Sequence, residues 1–176
     1  MNWEAERHDW SEISPDLAKV PELLENLLYG VDAAAVDHAH WRLNDLVAHN
    51  QVLMPGSPEV ASVLIQALPG LAARNKLWAL ELLGQFLAGT FPPTAAAPEV
   101  VSRMIEEMAF VVPPAAQMFQ YGTEDEASLC VDILEMSALQ DPRQGPRISF
   151  LFRKFSARGE SEKEFMNHRT WDLAWQ

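Results

Sequence analysis

The chain is poor in the residues from which chemistry is usually read. Its 176 residues include one cysteine, Cys130. A single thiol excludes an intramolecular disulfide and cannot by itself build a structural zinc site. Cys130 falls in the apolar-periodic stretch 127–134, which predicts a buried, inert thiol, free cysteine being among the most buried side chains. Positive charge is also scarce. Thirteen Lys and Arg stand against 25 Asp and Glu, a net charge of −12. Clustered bases are what neutralise phosphates, so direct nucleic-acid binding and docking on an anionic membrane surface are excluded as expectations. No apolar run approaches the roughly 18 residues a membrane-spanning helix requires. The first ten residues are polar and acidic rather than basic then apolar, so no signal peptide is expected and the chain is expected in the cytoplasm. A phosphate-cradling glycine loop, a nucleophile elbow and an H-E-x-x-H pair are all missing. The expectation is a protein with no catalytic residues, no metal and no cofactor.

Hydrophobic residues make up 48% and charged residues 22% of the chain, so folding rather than disorder is expected. Helical periodicity dominates. A first helix is predicted over 15–29, with Leu17, Val20, Leu24, Leu27 and Leu28 on one stripe, Pro21 dividing it and Gly30 ending it in a left-handed conformation. Asp32 caps a second over 33–50, whose apolar face is Val36, Ala39, Leu43, Leu46 and Val47. Ser57-Pro58 caps a third, ending near Leu68. The fourth, 71–88, is apolar round most of its circumference and belongs at the centre of a packed array. Residues 91–98, with Pro92, Pro93 and three alanines, form an internal linker. A fifth helix covers 98–112, Pro113-Pro114 interrupts the chain, and a short helix carries Met118 and Phe119. Thr123 and Glu126 form a capping box that opens a helix to about Leu139. Residues 148–155 read as either helix or strand. A last helix over 160–176 stacks Phe165, His168, Trp171 and Trp175.

Short Pro/Gly connections force antiparallel neighbours. Three hairpins are expected: 15–29 with 33–50, 58–68 with 71–88, and 98–112 with 124–139. Their starts lie about forty residues apart, within the range of two-helix solenoid repeats. The fold class is therefore all-α, a single domain over 1–176 of stacked antiparallel hairpins with seven or eight helices, capped by 142–176. A closed bundle of the same helices is the rival.

Histidine, aromatic and acidic residues supply the candidate sites. His38 and His40 point about 200° apart on a helix, and His38 and His49 are separated by roughly 16 Å along its axis. They do not make a metal site. The polar stripe Asp37, His38, Trp41, Arg42, Asp45 and His49 instead reads as a partner-binding surface with Trp41 as its anchor. The paired carboxylates are abundant and fall largely in first helical turns, where the helix dipole favours them without any catalytic role. Acidity is concentrated in two blocks, a net −8 over 1–60 and −6 over 123–141, with −1 between them and +3 after. Such blocks suit a surface that steers a basic protein, and they also serve solubility.

The run His40-Trp41-Arg42-Leu43-Asn44-Asp45-Leu46-Val47-Ala48-His49-Asn50, with Ser57-Pro58-Glu59-Val60-Ala61 and Ile65-Gln66-Ala67-Leu68-Pro69-Gly70-Leu71 after it, resembles small bacterial HEAT-like repeat proteins. Trp41, Leu43 or Leu46, His49, Pro69, Leu80, Leu82 and Leu83 take the family's positions. The resemblance spans roughly 36–88 and is softer over 99–139. It implies a non-enzymatic interaction module, and for small acidic members an immunity-type protein that neutralises a cognate toxin. Two other functions fit the residues: a ligand-binding domain or enzyme with a pocket around His40, and an oligomeric scaffold using Trp3, Trp10, Trp171 and Trp175.

Overall fold

The computed structural model describes residues 3–155, and every regular element among them is helical. Two short turns of helix, α1 (Trp3–Glu6) and α2 (Trp10–Ile13), lead into a 3₁₀ turn at Pro15–Lys19 and then α3 (Val20–Tyr29). After these come α4 (Ala33–Val47), α5 (Ser57–Ala67), α6 (Ala73–Ala88), α7 (Pro98–Met108), α8 (Val112–Tyr121), α9 (Glu124–Gln140) and α10 (Gly145–Phe155). Eight of these have ten residues or more among the described residues. The segment 148–155, open between helix and strand in the sequence, is helical: its apolar residues Ile148 and Phe152 recur every four and are buried together. The expected final helix over 160–176, with Phe165, His168, Trp171 and Trp175, lies outside the described residues.

Local chemistry accounts for most of the boundaries. The Asp32 carboxylate accepts from the Ala35 N–H at 3.2 Å and starts α4. Thr123 and Glu126 exchange side-chain and backbone bonds as a complete capping box on α9. Proline enters α3, α5, α7 and α8 in the first turn, where no helical N–H is lost. Pro113-Pro114 therefore opens a helix rather than merely breaking the chain. Three expectations need correction. Gly30 is extended, not left-handed; glycine is needed there because a Cβ would stand 2.3 Å from the Asn26 carbonyl oxygen. Ser57 is the first residue of α5 and not its cap, since Gly56 at φ 92° makes the turn. The Ser57 hydroxyl instead donates to the carbonyl of Val47, fastening the end of α4 to the start of α5. As for α4, it stops at Val47 rather than near Asn50, because Ala48 leaves the helix and Asn50 and Gln51 both take positive φ.

Helix α6 occupies the centre. It packs against α3, α4, α5, α7 and α9, and buries Ala79, Leu80, Leu82, Leu83, Phe86 and Leu87. One hydrophobic cluster runs from Ala5 to Phe152 around it. Helix α3 packs against α4 as expected, while α5 touches α6 but lies chiefly against α7. The third hairpin does not form as expected. Helix α9 lies chiefly against α8 and α6, while α7 lies against α5. The reason is α8: started by its prolines, it is long enough to take the antiparallel place beside α9 across the tight Gly122-Thr123 turn. Trp10, offered by the sequence as an exposed surface residue, is buried and donates its indole N–H to the Ala5 carbonyl at 2.8 Å. Cys130 is buried, and burial pushes its thiol up to about 12.

A polar residue inside the core ties two layers together. Asn75 of α6 donates to the carbonyls of Leu27 at 2.8 Å and Gly30 at 3.1 Å, satisfying groups left open at the end of α3. Removing either kind of contact has a distinct cost. Phe86→Ala is expected to lower stability by about 3–5 kcal/mol through the cavity it leaves. Asn75→Ala is expected to cost about 1–3 kcal/mol by orphaning the α3 carbonyls. Urea unfolding of both variants measures these values, and a loss at Asn75 within error of zero would contradict the capping role.

Candidate functional site

The sequence's polar stripe divides into two groups in the structure. Asp37 is engaged inside the molecule. The Arg74 guanidinium donates to both of its carboxylate oxygens at 2.9 Å, and Trp78 Nε1–H donates to Oδ1 at 2.8 Å. Arg74 holds the Asp37 carboxyl below the usual carboxylate range, with the Trp78 bond adding to the effect. Asp37 thus joins α4 to α6. The other residues of the stripe, His38, Trp41, Arg42, Asp45 and His49, are exposed. Asp45 stands 3.6 Å from Arg42 Nη1 and 3.8 Å from His49 Nδ1, loose surface pairs that contribute little. His49 reaches Asp45 from the 3₁₀ turn after α4 rather than from the helix.

Trp41 is 54% exposed, a large apolar side chain left in water. Its ring meets the edge of Trp78 with centroids 6.3 Å apart. Between and beneath the two indoles lies His40, entirely buried, 4.3 Å from the Trp78 ring and 5.1 Å from Trp41. Its Nε2 is 3.3 Å from Glu81 Oε2, yet the angles do not complete a hydrogen bond, and neither ring nitrogen has a partner among the described residues. Burial pushes the imidazole down to about 4, outweighing the opposite pull of Asp37, so His40 is neutral at pH 7. Glu81 moves the other way. Burial raises its carboxyl above the ordinary value, against a weak bond from Gln85.

Glu81 also faces outward. An open cavity of about 520 Å³ between α6 and α9 is walled by Leu77, Trp78, Glu81, Asp125, Ser128 and Leu129, with Arg74 at its edge. A second, of about 370 Å³, continues along the same two helices past Gln85, Asp132 and Glu135. Glu81 and Leu129 line both, so the two hollows form one groove. His40 lines neither of these two cavities. The surface that does emerge is an aromatic and acidic face crossing α4, α6 and α9.

Trp78, Glu81 and Asp125 were not among the residues singled out from sequence. For Trp78 and Glu81 the signal lies in α6 itself. Arg74, Trp78, Glu81 and Gln85 follow one another at spacings of four, three and four, a stripe along one side of a largely apolar helix. Among the described residues no group of three or more His, Cys, Asp or Glu is arranged to hold a metal ion, and no helix is long and apolar enough to cross a membrane. No protein-family model, curated protein or solved structure matches this chain.

The buried imidazole has a consequence for pH dependence. Unfolded His40 takes a proton below about pH 6.5, whereas the folded form resists it down to about pH 4. Between those values the unfolded chain holds more protons, so stability falls as pH is lowered through that window, by roughly 3 kcal/mol in total. Above pH 6.5 the effect vanishes. Between pH 7 and 4 the unfolding free energy of the native chain is expected to fall by roughly 3 kcal/mol more than that of His40→Phe. Parallel curves would show that His40 does not carry this acid sensitivity.

Proposed function

We propose that this chain is a non-enzymatic protein-binding module that takes a basic partner on the face formed by α4, α6 and α9. The observation that carries the reading is the groove along α6, where Trp78 and the carboxylates of Glu81 and Asp125 lie beside the exposed Trp41. Exposed tryptophan next to fixed charge is the composition of an interface hot spot. A net charge of −12 adds long-range steering toward a cationic protein. We read the order in which α4, α6 and α9 pack side by side, with α5 against α7, as a short HEAT-like stack. The resemblance over 36–88 gives this module its most specific form, an immunity-type protein that covers and silences a basic toxin. Within that form Trp41 and Asp45 contact the partner, with His38, Arg42 and His49 at the rim. Asp37 acts indirectly, by fixing the position of Trp78.

The reading predicts which proteins are captured and how. Affinity capture from native lysate, repeated at rising salt, is expected to retain a basic protein whose binding weakens as salt screens the charges. A chain carrying both Asp45→Lys and Asp125→Lys is expected to lose at least about tenfold in affinity for that protein while keeping its thermal midpoint, since both positions are exposed. Trp41→Ala is expected to cost about 2 kcal/mol or more of binding. Binding that ignores all three substitutions and the salt concentration would place the interface elsewhere.

A further inference from the structure

We propose that the cavity between α6 and α9 receives an arginine side chain of the partner, its guanidinium lying against the Trp78 indole with Glu81 and Asp125 as counter-charges. The proposal rests on the reading that this face binds a basic protein, and it names the group that enters. Four observations converge on it.

The first is an imbalance of charge. Among the described residues Arg74 is the only base on the cavity wall, and it donates to both carboxylate oxygens of Asp37. Glu81 and Asp125 share the wall without a Lys or Arg partner among the described residues. The second is the state of His40. An imidazole that is completely buried and has no bond at either nitrogen sits 3.3 Å behind the Glu81 carboxylate. Being neutral, it supplies no counter-charge to Glu81 from inside. Buried polar groups of this kind are ordinarily satisfied, so an arrangement left open on its inner side and uncompensated on its outer one is poised for a cation.

The third observation is shape. Leu77 and Leu129 give the cavity apolar sides, which suit the methylene stem of a long basic side chain, and Trp78 offers an aromatic wall where the charge would rest. A planar guanidinium stacks on an indole and forks toward carboxylates, which an ammonium does not do as well. The fourth is an internal precedent one turn away. Arg74 and Trp78 already meet over one carboxylate, Asp37, in a geometry with two guanidinium bonds and one indole bond. Glu81, three residues beyond Trp78, offers the same neighbour and a carboxylate with no guanidinium of its own.

Short blocked peptides of the form Gly-Arg-Gly, Gly-Lys-Gly and Gly-citrulline-Gly serve as probes, followed through the Trp78 indole N–H and His40 ring resonances of the full chain. The arginine peptide is expected to shift both saturably in the millimolar range, and the citrulline peptide, neutral but equal in shape, to bind at least about tenfold more weakly. The lysine peptide is expected to fall between them. Glu81→Gln is expected to weaken the arginine peptide by about tenfold. Asp125→Asn, an exposed change that leaves the fold intact, is expected to weaken it by a smaller factor. Equal binding of arginine and citrulline peptides, indifference to both substitutions, or no saturable binding of any peptide would overturn the proposal. If that happens while Asp45→Lys with Asp125→Lys still abolishes capture of the basic protein, the arginine pocket falls and the broader reading stands. If capture is also indifferent, both fall.

Discussion

Burial of α6 is the constraint on which the remaining structure depends. A helix with Ala79, Leu80, Leu82, Leu83, Phe86 and Leu87 has to be covered on several sides, and five other helices supply that cover. Its sixteen residues therefore leave few positions for anything other than packing. The stripe of Arg74, Trp78, Glu81 and Gln85 joins the polar contacts of Asn75 and Lys76 in linking α6 to its neighbours. Each residue of that stripe faces the seam between α6 and a neighbour, Asp37 of α4 on one side and the α9 groove on the other.

The seam with α4 is closed by interactions of unequal weight. The Arg74–Asp37 pair is partly exposed and by itself contributes modestly. Its significance lies in direction. The same carboxylate accepts from Trp78, which fixes the plane of the indole, and the indole in turn packs on the His40 ring. Burial holds His40 neutral, and a neutral His40 leaves the charge of Glu81 uncompensated from within. One surface ion pair thus sets the geometry of a buried aromatic cluster, whose outer wall is the groove.

Helix identity and the central place of α6 were legible in the sequence because both follow from apolar period and from caps. Asp32, Thr123 and Glu126 act locally, over three residues, and locality is what a sequence displays directly. The partner of α9 was not legible. Pro113-Pro114 reads as a break, and only the packed structure reveals that it starts a helix long enough to displace α7. The candidate site was half legible for the same reason. Trp41 stands out as an aromatic among polar neighbours on one helix, and it is exposed. Glu81 and Asp125 are 44 positions apart, and nothing short of the α6–α9 contact brings them to one cavity. The Arg74 partner of Asp37, 37 residues away, was not legible for the same reason.

Helices α4 and α9 both pack against α6, which brings one acid-bearing segment from each acidic block beside the same helix. Bringing two such segments together raises their mutual repulsion, and α6 carries the compensation. Its two bases lean to opposite sides, Arg74 onto Asp37 of α4 and Lys76 onto the nearly buried Glu126 of α9 at 3.1 Å. The second pair is the stronger one, being largely out of water and built on a carboxylate that also closes the α9 capping box. Once both bases are engaged, α6 has no cation left for Glu81. Arg7, Arg42, Arg103 and Arg143 are committed elsewhere, to Glu4, Asp45, Glu59 and Asp141. The groove is therefore acidic by more than composition. Among the described residues the two bases of α6 tie it to acids of α4 and α9, while Glu81 and Asp125 face the opening lined by Trp78, Leu77 and Leu129.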